Sequence, residues 1–150
     1  MLDRLKDVFG CLHANDAKYV VIGGIAAILH GVPRATFDLD LLIEPTPDNA
    51  RRVLAALLQA GLGTAGLTTP EDLLASEITV FQDRVRIDVQ TSTPGLVFED
   101  AWRGRETMNF RGQAFYVASR AAVIASKRAA GRPVDLDDVR LLERDDGNPA

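Results

Sequence analysis

Apolar residues fall at Leu2, Leu5, Val8, Phe9 and Leu12 with polar positions between them, a spacing that predicts an amphipathic helix over residues 2–15. Tyr19–Ile22 is a short, largely β-branched run that stops at Gly23-Gly24, as a buried strand with a tight exit would. Ile25–His30 predicts a short helix ended by Gly31 and Pro33, and Phe37–Ile43 a second strand closed by Pro45 and Pro47. Thr46 or Asp48 can cap a helix through Ala60, whose stripe is Val53, Leu54, Leu57 and Leu58. Residues 62–69 read as loop and Pro70–Ala75 as a short helix. Ile78–Phe81 and Val85–Val89 form a predicted hairpin, Leu96–Arg103 a short helix, and Met108–Phe110 with Ala114–Val117 a second hairpin around Arg111-Gly112. Ser119 caps a helix to Ala130, stopped by Gly131 and Pro133. Asp135 or Asp137 starts a last helix to about Arg144, leaving 145–150 as a frayed tail. This order is neither alternating βαβ nor all-helical. It predicts an α/β (α+β) chain with a mixed β-sheet flanked by helices.

The 150 residues fit one domain, 1–150. A hydrophobic fraction of 47% with 25% charged residues excludes disorder, collagen and coiled coil. A formal charge of −4 argues against a general nucleic-acid coat protein but leaves room for a local basic groove. The single cysteine, Cys11, excludes an intrachain disulfide framework, and with only His13 and His30 beside it a structural zinc site lacks ligands. No stretch reaches the roughly 18 apolar residues of a membrane helix, and no leader is visible, so the expected location is cytoplasmic.

Asp38 and Asp40 change the picture. Strand positions i and i+2 share a face, so two carboxylates stand side by side on a strand otherwise made of Phe37, Leu39 and Leu41. At a separation of about 6 Å and an effective dielectric of about 20, they repel by roughly 3 kcal/mol. A divalent cation would compensate that repulsion, and Mg²⁺ favours a site of carboxylates, phosphate oxygens and water. The alternative is a solvated polar face. Gly23-Gly24, between a strand and a helix start, lets a phosphate approach backbone amides, or is an ordinary turn. Asp88 is a third acid on a strand, between Ile87 and Val89. It either completes a two-metal site and takes a proton from an attacking hydroxyl, or lies on an edge surface.

Val21-Ile22-Gly23-Gly24, Asp38-Leu39-Asp40-Leu41 and Ile87-Asp88-Val89, in that order, resemble the signature of the DNA polymerase beta-like nucleotidyltransferase superfamily. The stretch GGIAAILHGVPRATFDLDLLIE is similar to its branch of minimal nucleotidyltransferases and abortive-infection and toxin–antitoxin toxins, with Arg34 and Thr36 in an Arg-x-Thr-x-Asp-x-Asp pattern. The late segment SKRAAGRPVDLDDVRLL resembles the ending of that branch. The resemblance implies a polymerase beta palm-like fold and transfer of an NMP from an NTP such as ATP to an acceptor hydroxyl. In it Asp38, Asp40 and Asp88 hold two Mg²⁺ ions and Gly23 and Gly24 cradle the phosphates. Arg34 and Thr36 contact phosphate or brace the loop. Lys127 reaches the triphosphate or is a solvated helix lysine. Asp135 and Asp138 are read as structural, paired with Arg128 or Arg132.

Gly61-x-Gly63-x-x-Gly66 follows a helix rather than a strand, which excludes a dinucleotide-binding turn. His30 reads as a dipole partner at a helix C-terminus and Trp102 as packing rather than a base platform. Nine basic residues after position 98 read as solvated helix faces more readily than as an RNA groove. The acceptor is therefore open between RNA or tRNA, a protein and a small molecule such as a cationic aminoglycoside. The short chain also admits a catalytically weak binding module, acting with a partner protein or as a homodimer.

Overall fold

The computed structural model describes residues 2–145, so the expected tail falls, from residue 146 on, outside the described residues. Seven α-helices and six strands occur among them. The helices are α1 (Leu2–Ala14), α2 (Gly23–Leu29), α3 (Pro47–Gln59), α4 (Pro70–Ala75), α5 (Phe98–Arg103), α6 (Arg120–Ala130) and α7 (Pro133–Asp145). The strands are β1 (Tyr19–Ile22), β2 (Asp38–Ile43), β3 (Ile78–Gln82), β4 (Arg86–Gln90), β5 (Glu106–Phe110) and β6 (Gln113–Val117). They form one mixed sheet, as the sequence pattern predicts, in the order β3-β4-β2-β1-β6-β5. β2 is antiparallel to β1 and parallel to β4.

β1 is buried at all four positions, as expected of a central strand covered on both faces. On β2 the odd positions Leu39, Leu41 and Ile43 are fully buried, while Asp38 and Asp40 look the other way. Each such apolar side chain stabilises by about 1.5–3 kcal/mol when buried. A one-residue slip would turn all three outward. The apolar face therefore fixes the register against the repulsion of the acids. In that register Leu39 meets Ile87, Leu41 meets Val89, and Asp40 lies opposite Asp88.

Helix starts follow the capping residues. The Thr46 hydroxyl accepts from Asn49 N–H at 3.3 Å with Pro47 in the first turn, and Ser119 accepts from Ala122 N–H at 3.1 Å. Several boundaries differ from the sequence pattern: α2 starts at Gly23 rather than Ile25, β2 at Asp38 with Phe37 left outside it and exposed, α5 at Phe98 rather than Leu96, and β5 at Glu106 rather than Met108. Two further differences have a clear local cause. Residues 62–69 contain a 3₁₀ turn, Gly63–Leu67, which lets Leu62 and Ala65 bury. The last helix begins at Pro133, because proline suits a first helical turn and Asp135 accepts from Arg132 N–H just before it.

Asn49 is buried and ties three segments together. Its Oδ1 accepts from Lys18 N–H at 2.8 Å, and its Nδ2 donates to the carbonyls of Lys18 at 2.9 Å and Glu44 at 3.0 Å. Asn49→Ala strands the Lys18 N–H and takes one of two donors from each carbonyl, which keep the N–H groups of Glu44 and Thr46. It is expected to lower stability by about 2–4 kcal/mol, read as a lower urea midpoint at unchanged m-value.

Candidate active site

The parallel pairing of β2 with β4 gathers the three acids. Carboxylate oxygens of Asp38, Asp40 and Asp88 all lie within 4.8 Å of one another. Each acid has one polar neighbour. Thr36 Oγ1 donates to Asp38 at 3.1 Å, and Gln90 Nε2 donates to Asp40 at 3.4 Å. Arg86 grips both oxygens of Asp88, at 3.0 and 3.2 Å. Burial, then the charges of Asp38 and Asp88, push the Asp40 carboxyl up to about 7 from an ordinary 3.8. The bonds and charge of Asp88 in turn hold Arg86 above the usual guanidinium range.

Gly23 sits against this cluster at φ +69°. A Cβ there would lie 2.3 Å from Asp40 Oδ2, so only glycine fits beside the carboxylate. A Cβ on Gly24 would come within 3.3 Å of Thr36 Oγ1. These residues form one wall of a cavity of about 310 Å³, also lined by Asp38, Asp40 and Gln90. Arg34, Lys127 and Arg132 line the same cavity and put three cations around it.

Residues 3–143 match a protein family described as "Nucleotidyltransferase of unknown function (DUF6036)". The chain belongs to this nucleotidyltransferase family. Its members are phosphorus-group transferases, and the substrate they share is a nucleotide. No curated protein matches the chain.

In this nucleotidyltransferase Arg34 reaches Asp138 of α7 at 2.8 Å, bracing the exit of α2 while still facing the cavity. Lys127 is not a solvated helix lysine. Its Nζ is buried, 2.8 Å from Asp138 and 3.6 Å from Asp135. Asp135 also takes a paired interaction from Arg132, at 2.7 and 3.1 Å. Burial alone would raise the Asp135 carboxyl, but the bonds and charge of Arg132, with Lys127, leave it below the ordinary range. Asp135 and Asp138 thus have an ion-pairing role, as expected. Asp138 pairs with Lys127 and Arg34, however, while Arg128 pairs with Glu143.

His30 Nε2 lies 2.8 Å from the Ala118 carbonyl, which ties α2 to the end of β6 beyond any dipole effect. Trp102 packs edge-on to Tyr116 beneath the Arg105 guanidinium, 3.7 Å from its ring centre. Among the late basic residues, Arg103, Arg111 and Arg140 pair with Asp100, Asp3 and Asp137. Those cations are consumed locally. No helix is long and apolar enough to cross a membrane among the described residues.

Sequence reading missed Arg86 and Gln90, and it foresaw the pairing of Arg132 with Asp135 but not the place of Arg132 on the cavity. The first two were open to detection, because residues 86, 88 and 90 alternate onto one face of β4.

Proposed function

We propose that the chain, as one domain, transfers an NMP from an NTP to an acceptor hydroxyl with Mg²⁺. The observation that carries this reading is the convergence of three carboxylates beside a glycine-walled cavity ringed by cations. The donor set fits the ion: all three groups are hard oxygen ligands, and their mutual repulsion is relieved by a divalent charge. When bound, Mg²⁺ supplies charge neutralisation and alignment of the donor phosphates.

Asp38 and Asp40 serve as metal ligands on the phosphate cavity. Asp88 completes the set and takes the proton of the attacking hydroxyl. Gly23 and Gly24 admit the β- and γ-phosphates close to the backbone. Lys127, held by α7, adds a fixed positive charge, and Arg34 and Thr36 keep the strand entry in place. The acceptor oxygen bonds to the α-phosphorus, the bond from that phosphorus to the β-bridging oxygen breaks, and pyrophosphate leaves with the electron pair.

Likeness of the Arg-x-Thr-x-Asp-x-Asp segment to toxin sequences supports a role in a toxin–antitoxin pair. Incubation with labelled NTPs, Mg²⁺ and a mixture of RNA, protein and small-molecule acceptors tests the chemistry. Label transfer by the wild type is expected, falling at least about 1,000-fold (roughly 4 kcal/mol of barrier) in the Asp38→Ala/Asp40→Ala double variant. Transfer that survives both substitutions removes the assignment.

A further inference from the structure

Asp38 lines two cavities. Besides the phosphate cavity it borders a second cleft of about 330 Å³, whose other charged walls are Arg4, Arg84 and Arg86. Asp38 is the only acid among the lining residues of that cleft. Arg86 is matched by Asp88, but Arg84 spends its guanidinium on the carbonyls of Arg4, at 3.2 Å, and Ala60, at 2.8 Å. Those bonds leave its positive charge uncompensated, and no carboxylate pairs with Arg4 among the described residues. Six of the nine late basic residues pair with acids, whereas the charges of Arg4 and Arg84 face this cleft without an acid partner among the described residues, contributed from α1 and the β3–β4 turn.

A third cavity of about 510 Å³, walled by Ile25, Ile28 and Leu29 of α2, shares walls with this cleft. Arg4 and Phe37 line both. Phe37, immediately before the first catalytic-candidate acid, is 83% exposed. A large aromatic held in water beside an apolar hollow and a row of arginines is the combination that binds single-stranded nucleic acid, where bases stack on the ring and phosphates follow the cations. A duplex would keep its bases stacked inside and leave both the ring and the hollow unused. A polycationic acceptor would be repelled by the arginines.

Building on the transfer reading above, we infer that the acceptor is the terminal hydroxyl of a single-stranded polynucleotide. Its last base rests against Phe37 in the apolar cavity, its phosphates lie along Arg4 and Arg84, and its hydroxyl is delivered at Asp38. The bond changes are those of the proposed transfer, with the terminal hydroxyl oxygen as nucleophile and its proton passing to Asp88.

The test uses ten-nucleotide RNA and DNA strands with free or blocked 3′ and 5′ hydroxyls, with labelled NTP and Mg²⁺, beside protein and aminoglycoside acceptors. The expected result is label on the free-ended strands and none once the reacting hydroxyl is blocked. The RNA and DNA arms decide the sugar, and the blocked arms decide the end. Arg4→Glu, at an exposed helix position, should raise the KM for the strand about 10-fold. It should also flatten the dependence of strand binding on salt, by about 0.7 in log–log slope for each phosphate that the protein no longer neutralises. Phe37→Ala should weaken strand binding, read by fluorescence anisotropy, by about 5-fold or more. Both variants should keep the wild-type KM for NTP. Mg²⁺–NTP binding with label on protein or aminoglycoside alone overturns the inference and leaves the transfer reading standing. Strand KM and anisotropy unmoved by both substitutions also overturn it. Absence of Mg²⁺–NTP binding by calorimetry overturns the transfer reading and the inference with it.

Discussion

Asp40→Asn is expected to make the metal-free protein more stable at pH 8 while abolishing nucleotidyl transfer. The folded protein holds Asp40 near 7 against an ordinary 3.8, through burial first and then the neighbouring Asp38 and Asp88. The folded state therefore binds the Asp40 proton more tightly than the unfolded chain does. By linkage, the wild type loses stability as the pH rises from about 4 to about 7, and the penalty is full above that. At about 1.4 kcal/mol per pH unit the upper bound is about 4 kcal/mol. Residual solvent contact at the site reduces this to about 2–3 kcal/mol, or about 5–10 °C in Tm for a chain of this size. Asparagine keeps the shape and removes the charge, so its stability should be flat across the same range. Melting curves at pH 5 and pH 8 in chelator measure the difference. Adding Mg²⁺ at pH 8 should raise the Tm of the wild type and leave that of Asp40→Asn nearly unchanged. Equal melting of the two proteins at both pH values would contradict the crowded-carboxylate account.

Gly23→Ala is expected to cost at least about 100-fold in kcat, the scale of an ångström-sized misplacement of a reacting group. Two effects combine. Alanine at φ +69° is strained by about 1–2 kcal/mol. The new methyl also meets Asp40 at its Oδ2, Cγ and Cβ, at 2.3, 2.9 and 3.1 Å. The carboxylate must swing away to clear Oδ2 and Cγ, and the strand must give by a few tenths of an ångström at Cβ, so Asp40 leaves the cluster. Gly24→Ala provides the comparison. Its nearest neighbour is Thr36 Oγ1 at 3.3 Å, which can yield by a few tenths of an ångström, and its φ lies outside the left-handed region. Its kcat should fall by less than about 10-fold. Steady-state kinetics on the two variants, with a melting curve for each, separates a displaced carboxylate from a misfolded chain. Equal losses in the two would overturn the steric account.

The placement of the acids on a shared strand face was legible because strand alternation is local: Asp38 and Asp40 had to lie together once Leu39 and Leu41 were buried. Helix limits at Thr46, Ser119 and Gly131 were legible for the same reason, since a cap depends on its own turn. The position of Asp88 directly across from Asp40 depends on parallel pairing between strands forty-odd residues apart, which no local pattern encodes. Lys127 shows the same limit from the other side. Along α6 it looks like an ordinary surface lysine, and its burial depends on Asp135 and Asp138 arriving from α7. The Gly63–Leu67 turn was missed because its short i+3 bonds leave no amphipathic period to read.

Asp138 holds two cations that belong to different segments, Arg34 after α2 and Lys127 on α6, while Asp135 of the same helix holds Lys127 and Arg132. Local unfolding of α7 would therefore disperse all three cavity-lining charges together. Peeling of α7 and dispersal of the charges that line the cavity are then one cooperative event, with this helix as the fastening that holds them in place.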